Sequence, residues 1–152
     1  MIDLKSLSGT VNVLINITSV SVEEDDPAPA NEMKIVTSGT VSGDGNGNYR
    51  LEYAERDPET DEASVVRLDL NGTGVIMERD GNTKAYMMFE NNKAFSSSYV
   101  TEYGSVPIEI FTIFTGWSIK SDSGSVDLKY QVATDGSYPW IQILSIRFAI
   151  NE

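Results

Sequence analysis

The chain has 152 residues and contains neither cysteine nor histidine. These absences exclude disulfides, thiolate nucleophiles, a Ser-His-Asp triad and a histidine-ligated zinc site. Its 11 basic and 23 acidic residues give a net charge of −12, which repels a phosphate backbone and an anionic membrane surface. We therefore expect no nucleic-acid or membrane partner.

The length of 152 residues favours one domain spanning residues 1–152. No apolar run approaches the about 20 residues that a membrane-spanning helix needs. The segment from Met1 to Lys5 lacks the features of an export signal, so we expect a cytoplasmic protein.

Apolar and polar residues alternate along most of the chain, which is the signature of half-buried β-strands. The pattern begins with Val11, Val13, Ile15 and Ile17 on one face of the first strand. The predicted strands cover residues 10–22, 33–42, 49–56, 63–70, 75–78, 83–90, 95–103, 106–115, 126–132 and 140–150.

Residues 23–31 interrupt the pattern with four consecutive carboxylates and two prolines. Such a segment cannot pair in a sheet, so we expect a solvated, mobile loop. An interaction with a basic partner or a divalent cation is the functional alternative for this charge run.

The turn after the second strand invites a calcium hypothesis. Asp44, Asn46 and Asn48 have the spacing of the first ligands of a calcium loop, and Glu55 falls at its twelfth position. However, Tyr49 occupies the place that needs glycine, and Glu55 lies inside a strand. We therefore favour an ordinary hairpin turn and predict no metal or cofactor.

The centre of the chain is a predicted meander of three strands, with turns at Asp80-Gly81 and Asn91-Asn92. A two-residue loop at Asp80-Gly81 would pair Ile76 with Ala85. That register places Ile76, Ala85, Met87 and Phe89 on one face and Val75, Met77, Tyr86 and Met88 on the other. Both faces are apolar, so the meander is either covered on both sides or has one face that meets a partner or a ligand. A bulge at the turn would swap the two faces.

The later strands repeat the alternation. Val106, Ile108, Ile110 and Phe114 are predicted to share a face, as are Val126, Leu128, Tyr130 and Val132. Short strands separated by turns, with no helical crossover, predict an antiparallel sheet. Because closure removes exposed edges, we predict an all-β fold: a single antiparallel up-and-down barrel of about eight to ten strands.

Several short motifs resemble those of the YwiB-like family of small bacterial proteins. They are Arg79-Asp80-Gly81, Tyr99-x-Thr101 with Gly104, and Leu128-x-Tyr130, within a correspondence from about Leu51 to Phe148. The long segment 23–31 departs from the compact loops of that family. The resemblance implies a calycin-type barrel related in shape to lipocalins, and it implies no reaction.

The favoured functional hypothesis is a binding protein for a small, partly apolar ligand held in the barrel mouth. Arg79 would pair with a carboxylate or phosphate, tyrosines would stack and donate hydrogen bonds, and Met88 would shape the wall. The candidate residues are Arg79, Tyr86, Met88, Tyr99, Thr101 and Tyr103. Alternatively, these side chains simply fill the interior.

Two further hypotheses remain. The apolar meander could form a homodimer or dock to another protein, with Trp117 and Trp140 as anchors if they are exposed. An enzyme would need paired carboxylates or a lysine with a shifted pKa, and the acidic residues cluster in predicted loops. We therefore expect a non-enzyme.

Overall fold

The computed structural model describes residues 2–23, 31–56, 61–134 and 140–151. Ten strands account for most of them, and a short 3-10 helix at Leu4–Ser6 precedes the first. The strands are β1 (Ser8–Glu23), β2 (Asn31–Asp44), β3 (Tyr49–Arg56), β4 (Ala63–Asn71), β5 (Gly74–Gly81), β6 (Ala85–Phe89), β7 (Ala94–Thr101), β8 (Gly104–Ile119), β9 (Ser123–Thr134) and β10 (Trp140–Ile150).

The strands form one antiparallel sheet in the order β6-β5-β4-β3-β2-β1-β10-β9-β8-β7. Its two edge strands, β6 and β7, meet at Lys84 and Val100, where each backbone N–H donates to the other residue's carbonyl at 2.8 Å. The sheet is therefore a nearly closed barrel, and the predicted all-β fold is confirmed. Among the described residues, no helix is long and apolar enough to cross a membrane.

Alternation along the strands fills the barrel with apolar side chains. In β9, Val126, Leu128, Tyr130 and Val132 are all buried, as the pattern predicts. The same holds for Val13, Ile15 and Ile17 in β1, for Tyr49, Leu51 and Tyr53 in β3, and for Val66, Leu68 and Leu70 in β4.

The N-terminal segment closes one end of the barrel. Leu4 is fully buried, and its N–H donates to the carbonyl oxygen of Ser121 at 2.8 Å. The Tyr49 hydroxyl donates to the Leu4 carbonyl at 2.7 Å, and the Tyr49 ring packs edge-on against Trp117. Trp117 and Trp140 are both half-buried and pack against the core.

The predicted register of the central hairpin is wrong. Met77 pairs with Met87 and Ile76 with Met88, so Val75, Met77, Ala85, Met87 and Phe89 share the inner face, while Ile76, Tyr86 and Met88 lie outside. The cause is the position of the turn. Asp80 and Gly81 remain extended and paired with β4, so the connection to β6 is longer than two residues and the faces swap.

The predicted face of Phe114 is also wrong. The ladder between β8 and β9 shifts register between Thr112 and Phe114, because Ile113 is an extra residue in β8. Phe114 consequently points outward and is 52% exposed, whereas Thr115 is buried.

The turn after β2 is a hairpin turn, as favoured over the calcium loop. Asp44 Oδ1 accepts hydrogen bonds from the N–H groups of Asn46 (2.7 Å) and Asn48 (3.2 Å). Its second oxygen accepts from the Asn48 side chain at 2.6 Å, and these bonds lower the pKa of Asp44, with the side-chain bond as the largest cause. The predicted acidic loop lies almost entirely outside the described residues.

Gly39 provides a test of the packing between β2 and β3. A Cβ atom there would lie 2.2 Å from the Glu52 carbonyl oxygen and 2.8 Å from the Ile15 side chain. We expect Gly39→Ala to lower the free energy of unfolding by about 1–3 kcal/mol, because the backbone must shift to relieve the overlap. Urea denaturation measures the change.

Gly74→Ala is the matched control, since its Cβ would meet the nearest atom at an ordinary 3.4 Å. Equal stability of the two variants would contradict the close approach at Gly39.

Thr112 and Thr115 place two buried hydroxyls on the inner face of β8, and neither hydroxyl has a hydrogen-bond partner among the residues that the structure describes. A buried hydroxyl without a hydrogen bond is costly. We therefore expect Thr112→Val, which keeps the shape and removes the hydroxyl, to raise the free energy of unfolding by about 1 kcal/mol. A loss of stability in urea denaturation would show that the hydroxyl is satisfied.

Thr10→Val is its control. The exposed Thr10 hydroxyl shares a 2.8 Å hydrogen bond with Ser42, so this substitution should not stabilise the protein.

Candidate functional site

The candidate site is the end of the barrel opposite the N-terminal segment, where the inner face becomes polar. Across β3, β4 and β5, Tyr53, Val66 and Arg79 are paired in one row, so Arg79 points inward like Tyr53. Arg79 follows Val75 and Met77 on the inner face of β5. Strand alternation therefore carries a guanidinium group into the barrel mouth.

Glu55 occupies the next inner position of β3 and forms an ion pair with Arg79. Its Oε2 atom lies 2.8 Å from Arg79 Nη1, and the two side chains are only 33% and 22% exposed. A guanidinium group has five N–H donors. In the described part of the chain, Glu55 is the only carboxylate that forms an ion pair with Arg79.

Two buried phenols lie near this ion pair. Burial raises the pKa of Tyr53 well above the ordinary value for a phenol, and raises the pKa of Tyr130 to about 12. The positive charge of Arg79 opposes both shifts, and Arg79 lines a compartment with each of the two tyrosines. Neither hydroxyl has a hydrogen-bond partner among the described residues.

The mouth is divided into two compartments, of about 830 and about 400 Å³. Arg79 on β5 and Tyr99 on β7 line both of them and so stand at their junction. Both volumes are in the range of small-molecule sites.

The smaller compartment is mainly apolar. Met87, Ile108, Val132 and Trp140 form its walls, with the ring of Tyr130. Gln142 adds an amide on one side and is held in place by Ser19 and Ser21, which hydrogen-bond its side chain. An aliphatic or aromatic group would therefore fit this compartment.

The larger compartment has more polar walls. Tyr53, Glu55 and Arg79 line it, together with Ser64, whose hydroxyl donates to Asn82 Oδ1 at 2.7 Å. Ile17 and Ile35 supply apolar surface on the opposite side. A ligand spanning both compartments would thus meet a polar half, an apolar half and Arg79 between them.

Comparison with known proteins identifies the family. Residues 15–146 match the model described as "Domain of unknown function (DUF1934)". The chain belongs to this family. No curated protein matches the chain.

One solved structure has the same fold. The crystal structure of the ywiB protein from Bacillus subtilis superimposes with a TM-score of 0.81 at 13% identity, covering 97% of this chain and 96% of that one. The predicted YwiB-like resemblance and barrel are therefore confirmed. A relation to calycins stays a prediction.

The DUF1934 barrel brings two of the six predicted ligand residues together, Arg79 and Tyr99. Tyr86 and Met88 lie on the outer side of β6, and Tyr86 packs against Phe95. Thr101 and Tyr103 form the turn between β7 and β8, in which Thr101 Oγ1 accepts from the Tyr103 N–H at 3.1 Å. Tyr103 is 92% exposed. Ligand binding by this set stays a prediction.

The outer residues Ile76, Tyr86 and Met88 leave an apolar patch on the wall of the meander. This patch is where the alternative hypothesis places a homodimer or docking surface. That alternative also stays a prediction.

Sequence reasoning missed Glu55, Tyr53, Tyr130, Met87 and Trp140 as lining residues. The alternation of β3 and β9 marked the two tyrosines as inward-facing, which is the signal that could have found them. Glu55 follows Tyr53 in the same alternation, so a carboxylate at an inner position was also visible.

The buried phenols predict a specific alkaline weakening of the fold. An unfolded tyrosine titrates near pH 10, whereas Tyr130 titrates near pH 12 in the folded barrel. Between these values the unfolded chain loses its proton first, so stability is complete below about pH 10 and falls as the pH rises toward 12. When the pH is raised from about 9 to about 11, we expect the free energy of unfolding to fall less for Tyr130→Phe than for the parent protein. Urea denaturation at each pH measures it.

Tyr86→Phe, which alters a ring on the outer wall, controls for the substitution itself. An unchanged alkaline slope in Tyr130→Phe would show that its phenol is not buried as described.

Proposed function

We propose that this DUF1934 barrel is a non-catalytic binding protein for a small, partly apolar ligand held in its mouth. The observation that carries the proposal is the position of Arg79. Its largely buried guanidinium group stands at the junction of the two compartments, beside two phenols that have no protein partner in the described chain. Unused donors at such a junction are suited to orienting a ligand.

The apolar compartment supplies the affinity in this proposal. Burial of apolar ligand surface against Met87, Ile108 and Trp140 contributes about 25 cal/mol per Å². The polar groups contribute orientation and selectivity, because an unmatched ligand leaves buried donors without partners.

Catalysis is not proposed. A base and nucleophile pair needs an activated group, and the chain has neither cysteine nor histidine. The mouth carboxylate, Glu55, is bound to Arg79. The same residues provide the parts of a binding site without further assumption.

Substitutions of Tyr99 and Tyr103 distinguish binding in the barrel mouth from unspecific adsorption to the surface. N-phenyl-1-naphthylamine, a neutral aromatic probe whose fluorescence rises in apolar surroundings, serves as the test ligand. We expect Tyr99→Ala to weaken probe binding about tenfold, because the ring lines both compartments. Fluorescence titration of folded protein measures the affinity.

Tyr103→Ala is the matched control, since Tyr103 is exposed at the nearby turn and should not contribute. Equal weakening by both substitutions, or the absence of saturable binding at one site per chain, would overturn the proposal. Native mass spectrometry of protein purified from its own host is a separate measurement, which identifies a co-purified ligand by its mass.

A further inference from the structure

We propose that the ligand carries an oxyanion, and that this oxyanion takes the place of the Glu55 carboxylate at Arg79. Glu55 then acts as a built-in competitor, which occupies the cation until a ligand of suitable affinity displaces it. This inference rests on the proposed binding function and names the chemical class of the ligand.

The geometry of the ion pair supports an exchange of partners. The Nη1 atom of Arg79 lies 2.8 Å from the Oε2 atom of Glu55. A guanidinium group can bind a carboxylate, phosphate or sulfonate through two parallel N–H bonds. Because the guanidinium group has five N–H donors, Arg79 can offer donors to a second oxyanion, and a two-point contact would compete with the ion pair to Glu55.

The Glu55 side chain has space to rotate away from Arg79. The side chain is one-third exposed and lines the larger compartment, which holds about 830 Å³. Rotation toward solvent would let its carboxylate regain hydration. The cost of displacing it is therefore small compared with that of stripping a fully buried carboxylate.

The phenols favour an anion over a cation. A tyrosine hydroxyl is protonated at neutral pH, so Tyr53 and Tyr130 each offer an O–H donor. Donors and a guanidinium group together form a site for an electron-rich group.

The net charge of −12 opposes an anion at long range without deciding the outcome. At physiological ionic strength, exposed charges farther away than about 8 Å are largely screened. A contact with partly buried Arg79 is screened much less, so the local charge dominates at the site.

Two probes with the same rings test the inference. 8-Anilinonaphthalene-1-sulfonate and N-phenyl-1-naphthylamine share their aromatic skeleton, and only the first carries a sulfonate. We expect Glu55→Gln to tighten sulfonate binding about tenfold, because the competing charge is removed. Arg79→Gln should weaken it at least about tenfold, and in both variants the affinity for the sulfonate should change more than the affinity for the neutral probe.

The double variant Glu55→Gln/Arg79→Gln isolates the coupling. If Glu55 acts by occupying Arg79, the gain from Glu55→Gln disappears when Arg79 is absent. If Glu55 merely repels the anion through space, the gain persists. The second result would overturn the inference.

A second ion pair on the outer wall supplies matched controls. Glu52 on β3 is paired with Arg67 on β4, and its Oε2 atom lies 3.4 Å from Arg67 Nε. Glu52→Gln changes the net charge by the same amount as Glu55→Gln. Glu52→Gln and Arg67→Gln should leave the affinities for both probes unchanged. Circular dichroism confirms that each variant is folded before titration.

The outcomes separate the two proposals. Saturable binding of the neutral probe with no effect of Glu55 or Arg79 on the sulfonate would overturn the oxyanion inference and leave the binding function standing. Failure of both probes to bind the parent protein and Glu55→Gln would overturn the binding function itself.

Discussion

Two backbone hydrogen bonds between Lys84 and Val100 make the ten-stranded sheet into a nearly closed barrel. The seam is short, and the turn between β6 and β7 secures it by bonding to the bulged part of β8. Asn92 donates to the Thr112 carbonyl, and Thr112 donates to the carbonyl of Lys93. Without this closure, β6 and β7 would be open edges, and Arg79 would face no opposite wall. The interior and its mouth both depend on the seam.

The alternation of apolar residues was sufficient to predict the ten strands, because every strand except β7 places buried side chains on one face. Pairing register was harder, since it depends on where each turn closes. Asp80-Gly81 is a strong turn signal, yet both residues stay paired with β4, which holds them extended. The extra residue Ile113 in β8 likewise reversed the face predicted for Phe114. Neither effect is local, so neither could be derived from the adjacent residues.

The candidate site was only partly predictable for the same reason. Arg79 and Tyr99 belong to strands that do not pair with each other, and they meet because the barrel closes. Glu55 attracted attention only as a calcium ligand, whereas the register places it beside Arg79. The motifs around Arg79 and Tyr99 suggested the family correctly, but motif residues such as Thr101 support the turn between β7 and β8.

The buried 3-10 helix near the N-terminus limits the route by which a ligand would reach the interior of the barrel. Leu4 and Leu7 close one end of the barrel, and the Tyr49 hydroxyl is hydrogen-bonded to the backbone there. The described barrel is therefore closed at that end and open at the mouth. A ligand in such a barrel would enter and leave through the same opening. The rate of ligand release would then depend on the residues at the mouth, while the well-packed closed end would stay rigid.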